Sequence, residues 1–305
     1  MKLRIGMVGL GTIAQSTYLP ILSTLETVDF VGAFSPNQEK TRAICARYRI
    51  TPFVSYEQLL SEIEAIFIHS ATETHYDLCK QAILAGVAVY VDKPLADTYS
   101  RAVEIVEFAD RHNVPLMVGF NRRFAPLYQE LKTKMETFDY LQVTKHRMGR
   151  DSRITAEVLL DDYIHLVDTV YWLSGGDLTV TNNYLKDTSD QGFLYVQTQY
   201  ESSKQQAVIQ TNSHRQNGTD FEKITLIKQD VQYEVTDLIE MKTFSNKQLI
   251  MEPLNLRATD YMRRGFVGII TEFVDAVVTK RTPLISGKEA LAAQKLIADI
   301  LDKSS

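Results

Sequence analysis

From Leu3 to about Gly119 the chain alternates short apolar or β-branched runs with longer stretches whose apolar residues recur every three or four positions. Runs of the first kind read as strands buried on both faces of a parallel sheet, and the longer stretches as the helices that cover it. The pattern predicts strands at 3–8, 30–34, 65–69, 87–91 and 116–118, and helices at 12–25, 38–48, 56–62, 75–85 and 100–113. Gly86 stands where the fourth helix needs a C-cap. This is the rhythm of a doubly wound α/β sheet.

Beyond Gly119 the period changes. Helical segments at 126–137 and 161–173 give way to runs that alternate polar and apolar residues, at 143–148, 178–185, 193–201, 206–213, 221–228, 231–235 and 239–245. Alternation of this kind predicts antiparallel strands with one exposed face. Two helices, 266–279 and 288–302, close the chain. Two domains follow: 1–119, doubly wound and parallel, and 120–305, an α+β domain with an open, mostly antiparallel sheet. The C-terminal helices are candidates to pack back on the first domain.

Composition narrows the field. The chain has 305 residues, 45% hydrophobic and 23% charged, which is globular and long enough for two cores. Its 33 Lys and Arg against 38 Asp and Glu leave a net charge of -5, with no dense basic run. Nucleic acid and anionic membrane are poor partners for such a chain, and a small-molecule substrate is expected. Cys45 and Cys79 lie far apart and outside any Cys/His cluster, which argues against a zinc site or disulfide framework and suits a reducing compartment. No run approaches the ~18 apolar residues of a membrane span, and no signal-peptide pattern opens the chain, so a cytoplasmic protein is expected.

The first strand runs into Gly9-Leu10-Gly11-Thr12-Ile13-Ala14 and then directly into a helix. Gly9 permits the tight turn, Gly11 lets the backbone approach a pyrophosphate, and Ala14 allows close helix–strand packing. A plain turn uses the same glycines; the βαβ setting favours dinucleotide binding. Such sites carry an acid about 20 residues on, which holds the ribose hydroxyls. Ser35 stands there instead, followed by Pro36 and Asn37. An acid would repel a 2′-phosphate, whereas Ser35 and Asn37 can donate to one and Lys40 or Arg42 can reach it, which inclines the choice to NADP over NAD.

Lys93, in Tyr90-Val91-Asp92-Lys93-Pro94, ends a buried strand, where open α/β sheets bind ligands; a surface lysine in a turn fits the same residues. Farther on, helical spacing puts Asp161, His165 and Asp168 at i, i+4 and i+7 on one face. An imidazole between two carboxylates is held in one tautomer, as proton transfer requires. A solvated ion-pair face or a core histidine has the same spacing.

These segments resemble the glucose–fructose oxidoreductase / inositol dehydrogenase / MocA family over nearly the whole chain. The likeness rests on Gly9-x-Gly11-x-x-Ala14, on Asp92-Lys93-Pro94 as a Glu-Lys-Pro motif with Asp for Glu, and on Asp161-x-x-x-His165-x-x-Asp168. Phe120-Asn121-Arg122-Arg123-Phe124 and Arg263-Arg264-Gly265 are similar to its MviM-type members. The resemblance implies a Rossmann domain and an NAD(P)-dependent dehydrogenase or reductase of a polyol, sugar or related hydroxy or keto compound. It also implies catalysis by Lys93, Asp161 and His165, with Lys93 and His165 drawn from different halves of the chain. Gly9, Gly11, Thr12, Ile13, Ala14, Ser35, Ser70, Thr72, His75 and Lys93 would contact cofactor; Asn121, Arg123, Tyr163 and His165 would contact substrate, with Tyr128 a further candidate.

The departures matter as well. The family's Thr-Pro-Asn run is replaced by Ser70-Ala71-Thr72 here, and its glycine two residues before the histidine is Tyr163, which could narrow the pocket or stack on a sugar. Two other readings stay open: a dinucleotide-sensing regulator without turnover, and an NAD-dependent glycoside-cleaving enzyme. The exposed sheet face suggests a homodimer or larger homo-oligomer, with a monomer bearing an exposed polar sheet as the alternative.

Overall fold

In the computed structural model, which describes residues 2–149, 151–188, 192–253 and 258–303, six strands form the first sheet. They are β1 (Leu3–Val8), β2 (Val28–Phe34), β3 (Thr51–Pro52), β4 (Ala65–Ile68), β5 (Ala88–Val91) and β6 (Leu116–Val118). All positions of β4 and β5 are buried, as strands covered on both faces must be. Every neighbouring pair is parallel and the order is β3-β2-β1-β4-β5-β6, a Rossmann arrangement that reverses between β1 and β4. β3 was not expected, because two exposed residues carry no period.

The covering helices are α1 (Leu19–Leu22, entered through a π-turn at Ala14–Tyr18), α2 (Gln38–Tyr48), α3 (Tyr56–Leu60), α4 (Thr72–Leu84) and α5 (Tyr99–His112). Side chains of Asn37, Ser55 and Thr98 accept from the amides of Lys40, Gln58 and Arg101, which starts α2, α3 and α5 at defined points.

The following segment contains α6 (Pro126–Thr133), β7 (Tyr140–His146), α7 (Thr155–Val158), a π-turn at Leu159–Tyr163 and α8 (Ile164–Ser174). Strands β8 (Leu178–Thr188), β9 (Gly192–Ser202), β10 (Val208–His214), β11 (Phe221–Lys228), β12 (Val231–Thr236), β13 (Glu240–Ser245) and β14 (Gln248–Pro253) come next. The sheet runs β14-β13-β12-β11-β7-β10-β9-β8 and is antiparallel except between β7 and β10. Leu141, Ile209, Ile224 and Leu226 are buried on one face while Tyr140, Gln142, Gln210, Thr225 and Ile227 beside them are half-exposed. β14 escaped prediction because Leu249, Ile250 and Met251 are consecutive, apolar and about half exposed, without alternation. Helices α9 (Asp260–Arg263), α10 (Phe266–Thr279) and α11 (Gly287–Asp302) end the chain.

Two compact units result: Met1–Phe120 with Phe266–Leu291, and Asn121–Gly265 with Ala292–Ser305. The period change alone leaves 266–291 in the second domain, whereas these residues group with the first. Apolar packing and backbone pairing hold them there: Phe273 of α10 meets Phe67 of β4 edge-on at 5.3 Å, and Ser286 forms an antiparallel backbone bridge with Met117 of β6. No helix is long and apolar enough to cross a membrane among the described residues.

Candidate functional site

At the C-terminal ends of β1, β2 and β4 a cavity of about 500 Å³ opens. The β1–α1 turn supplies Gly9 and Gly11, β2 leads into Ser35, Asn37 and Lys40, and β4 leads into His69 and Ser70. Gly9 has φ +87°, and a Cβ there would lie 2.5 Å from the His69 carbonyl carbon and the Ser70 nitrogen, so only glycine fits between the two strand ends. At Gly11 a Cβ would meet nothing nearer than the His69 carbonyl oxygen at 4.0 Å. That open approach beside a helix start is what a pyrophosphate requires. No carboxylate lines the cavity among the described residues, and Lys40 does. Thr12 is exposed, Ile13 and Thr72 are half-buried and Ala14 is fully buried against the sheet; none of the four lines the cavity.

Lys93 follows β5, on a turn fixed from both sides. Asp92 Oδ1 accepts the Lys93 backbone N–H at 2.9 Å, and the Lys93–Pro94 peptide is cis. His75 is 1% exposed; its Nδ1 lies 2.8 Å from the Pro94 carbonyl oxygen and its Nε2 3.2 Å from that of Ser70. Burial lowers the His75 pKa against the raising effect of those carbonyls and of Asp92. His75 thus ties the Lys93 turn to the segment after β4 and does not line the cavity.

In the second unit Asp161 lies on the π-turn at Leu159–Tyr163 and His165 and Asp168 lie on α8, which follows it directly. Asp161 is exposed and accepts from Arg153 Nη1 at 2.7 Å, while Asp168 is 0% exposed and accepts from Arg123 Nη2 at 2.6 Å. The two carboxylates are therefore held in different surroundings, with His165 half-buried on the intervening turn.

The residues expected to contact substrate have partners within the fold. Asn121, Arg123 and Tyr163 are 2%, 5% and 1% exposed. Asn121 Nδ2 donates to the Arg264 carbonyl at 2.7 Å, Arg123 engages Asp168, and Tyr163 Oη lies 3.0 Å from Thr198 Oγ1 and 2.5 Å from Thr211 Oγ1. Tyr128 is also buried, its hydroxyl donating to Glu222 Oε1 at 2.8 Å. These polar atoms are engaged within the second unit.

Comparison with known proteins then decides the class. The family model described as "Oxidoreductase family, NAD-binding Rossmann fold" matches residues 3–120, and "YceM-like, C-terminal domain" matches 126–246. YceM of Salmonella typhimurium is 38% identical over 299 residues, 97% of this chain and 96% of that protein. The chain belongs to the Gfo/Idh/MocA oxidoreductase family. Within the Gfo/Idh/MocA family its MviM-like character is supported by the crystal structure of the MviM dehydrogenase from Clostridium difficile. That structure matches at TM-score 0.96 and 36% identity over 99% of this chain and 100% of the other. An inositol 2-dehydrogenase of Acidothermus cellulolyticus is 26% identical over 182 residues, 56% of this chain and 53% of that protein. Gfo/Idh/MocA membership makes the protein an NAD(P)-dependent dehydrogenase. His69, buried beside Asp92, is the site-adjacent residue that sequence patterns missed: one histidine at a strand end carries no spacing signal.

Proposed function

We propose that this dehydrogenase prefers NADP and moves hydride between nicotinamide and a polyol, sugar or related hydroxy or keto compound, with Lys93, Asp161 and His165 as catalytic residues. The observation that carries the cofactor reading is the glycine-floored cavity, free of lining carboxylates among the described residues and bordered by Ser35 and Lys40. A ribose-binding acid would oppose a 2′-phosphate, and a lysine favours it. When bound, the dinucleotide supplies the hydride acceptor or donor at its nicotinamide. In oxidation His165 takes the proton of the substrate hydroxyl. Lys93 donates a hydrogen bond to the same oxygen and stabilises its developing negative charge, and Asp161 orients the pair. In reduction Lys93 polarises the carbonyl and His165 returns the proton.

Fluorescence titration with NADPH and NADH is expected to give tighter NADPH binding; clearly tighter NADH binding rejects the preference. On the substrate found in a panel of polyols and sugars, Lys93→Met and His165→Ala each lower turnover about 100-fold or more while nucleotide affinity holds within about twofold. Full activity of either variant rejects the assigned roles. Nucleotide binding without turnover across the panel would favour a sensor, and glycoside cleavage with retained NAD the third reading.

The open sheet face also supports self-association. Along β9, Val196, Thr198 and Tyr200 are buried while Tyr195, Gln197 and Gln199 are half-exposed. A homodimer or larger homo-oligomer is expected by light scattering, and a monomeric mass rejects it.

A further inference from the structure

We propose that His69 is a positioning residue for Lys93, acting through Asp92. The inference rests on Lys93 as a catalytic group. His69 follows β4 and Asp92 follows β5; their amides donate to the carbonyls of Val8 (2.8 Å) and Ile68 (2.9 Å), so neighbouring parallel strands bring both residues to one level. The imidazole is 0% exposed and lies against the Tyr18 ring, with 3.8 Å between centroids. Phe67 and Tyr90 complete its surroundings.

Neither ring nitrogen of His69 has a hydrogen-bond partner among the described residues, although both are buried. The nearest charge is Asp92 Oδ2, 3.6 Å from Nδ1. Unsatisfied nitrogens in a buried ring carry a desolvation penalty that phenylalanine in the same stack would avoid. Contact with Asp92 gives the polar ring a role. The second oxygen of that carboxylate, Oδ1, holds the Lys93 amide. Asp92 thus stands between His69 and the Lys93 turn.

The other titratable groups around Asp92 come from each neighbouring element: His75 of α4, Lys93, Tyr90 of β5 and, through its 2.8 Å bond to the Tyr90 hydroxyl, Tyr18. From α10, Phe266 packs on Tyr18 and Phe273 on Tyr90. Burial alone would raise the Asp92 pKa; His69, Lys93 and His75 together hold it below the ordinary carboxylate value. Without His69, Asp92 takes up a proton at higher pH and releases the turn that aims Lys93.

Two measurements on the full-length protein test this. In nitrogen-15 spectra of the histidine rings, the His69 signal in wild type reports a proton on Nδ1 directed at Asp92 and moves in Asp92→Asn; a signal unchanged by Asp92→Asn overturns the proposal. In turnover assays His69→Phe, which keeps the stack on Tyr18, leaves the substrate KM near wild type. Its kcat falls about tenfold or more and the acid limb of the kcat profile moves to higher pH. His69→Gln, able to donate one hydrogen bond, recovers part of the loss. An unchanged kcat and acid limb in His69→Phe overturns the proposal. If wild type turns over nothing, the reading of Lys93 fails, while the ring spectrum still decides the His69–Asp92 pairing.

Discussion

The hydroxyl of Tyr163 is rooted in the sheet beneath α8, between Thr198 and Thr211. Both threonines keep other partners, since Thr211 Oγ1 lies 2.9 Å from the Tyr200 hydroxyl and Thr198 Oγ1 donates to Asn183 at 3.0 Å. Tyr163→Phe is therefore expected to cost only about 1 kcal/mol, read from the urea midpoint, with NADPH affinity unchanged. An unmoved midpoint would show the hydroxyl idle; weakened NADPH binding would show that it reaches the cofactor. Tyr163 also marks a limit of sequence. Gly9 and Gly11 are legible because a backbone constraint leaves few residue types possible. Asn121, Arg123 and Tyr163 are not, because the direction of a polar side chain is settled by packing around it. The same polar atoms that suit a ligand also suit a buried carbonyl or carboxylate.

Elements were legible where one period ran through them and illegible where it broke. The four buried residues of β4 and the alternating stretch of β11 were found from their pattern; β3 was not, and the π-turns at Ala14–Tyr18 and Leu159–Tyr163 left no mark on the helical spacing. Asp161, on the second π-turn, and Asp168, on α8, have different surroundings despite their i, i+7 relation. The β1–α1 turn, by contrast, permits a sharp test of two glycines with different duties. Gly9 sits at positive φ against the backbone of His69 and Ser70, so Gly9→Ala strains the meeting of two strand ends and lowers stability and NADPH affinity together. Gly11→Ala meets no atom nearer than 4.0 Å and keeps the melting temperature, but its methyl points into the cavity and weakens NADPH binding about tenfold or more. Equal melting temperatures for the two variants would refute this division of roles.

Across the whole molecule the buried charge is unevenly shared. The second unit encloses Arg122 with Glu222, Arg123 with Asp168, and Lys145 with Asp162, each side chain at most 15% exposed. The formal charge of -5 shows nothing of these pairs, because they cancel within it. Their consequence is acid sensitivity. Burial would raise the Glu222 pKa, but the Arg122 fork, with Lys145 and the Tyr128 hydroxyl, brings it from an ordinary 4.5 down to about 2. A carboxylate held down in the folded state stabilises fully above its unfolded pKa, and that contribution is lost as pH falls through the folded one. For Glu222 the window runs from about pH 4.5 to about 2, and the shift corresponds to about 3 kcal/mol. Trp172, the single tryptophan, lies on α8 in the same unit, so its fluorescence reports this loss directly. Urea midpoints followed at Trp172 are expected to fall steeply between pH 5 and 3 in wild type. Glu222→Gln starts lower at pH 7, by about 3 kcal/mol, because Arg122 keeps its buried charge without a carboxylate, and its midpoint falls less over the same range. Parallel pH dependence in the two proteins would mean that acid acts through other carboxylates held low, such as Asp162, rather than through Glu222.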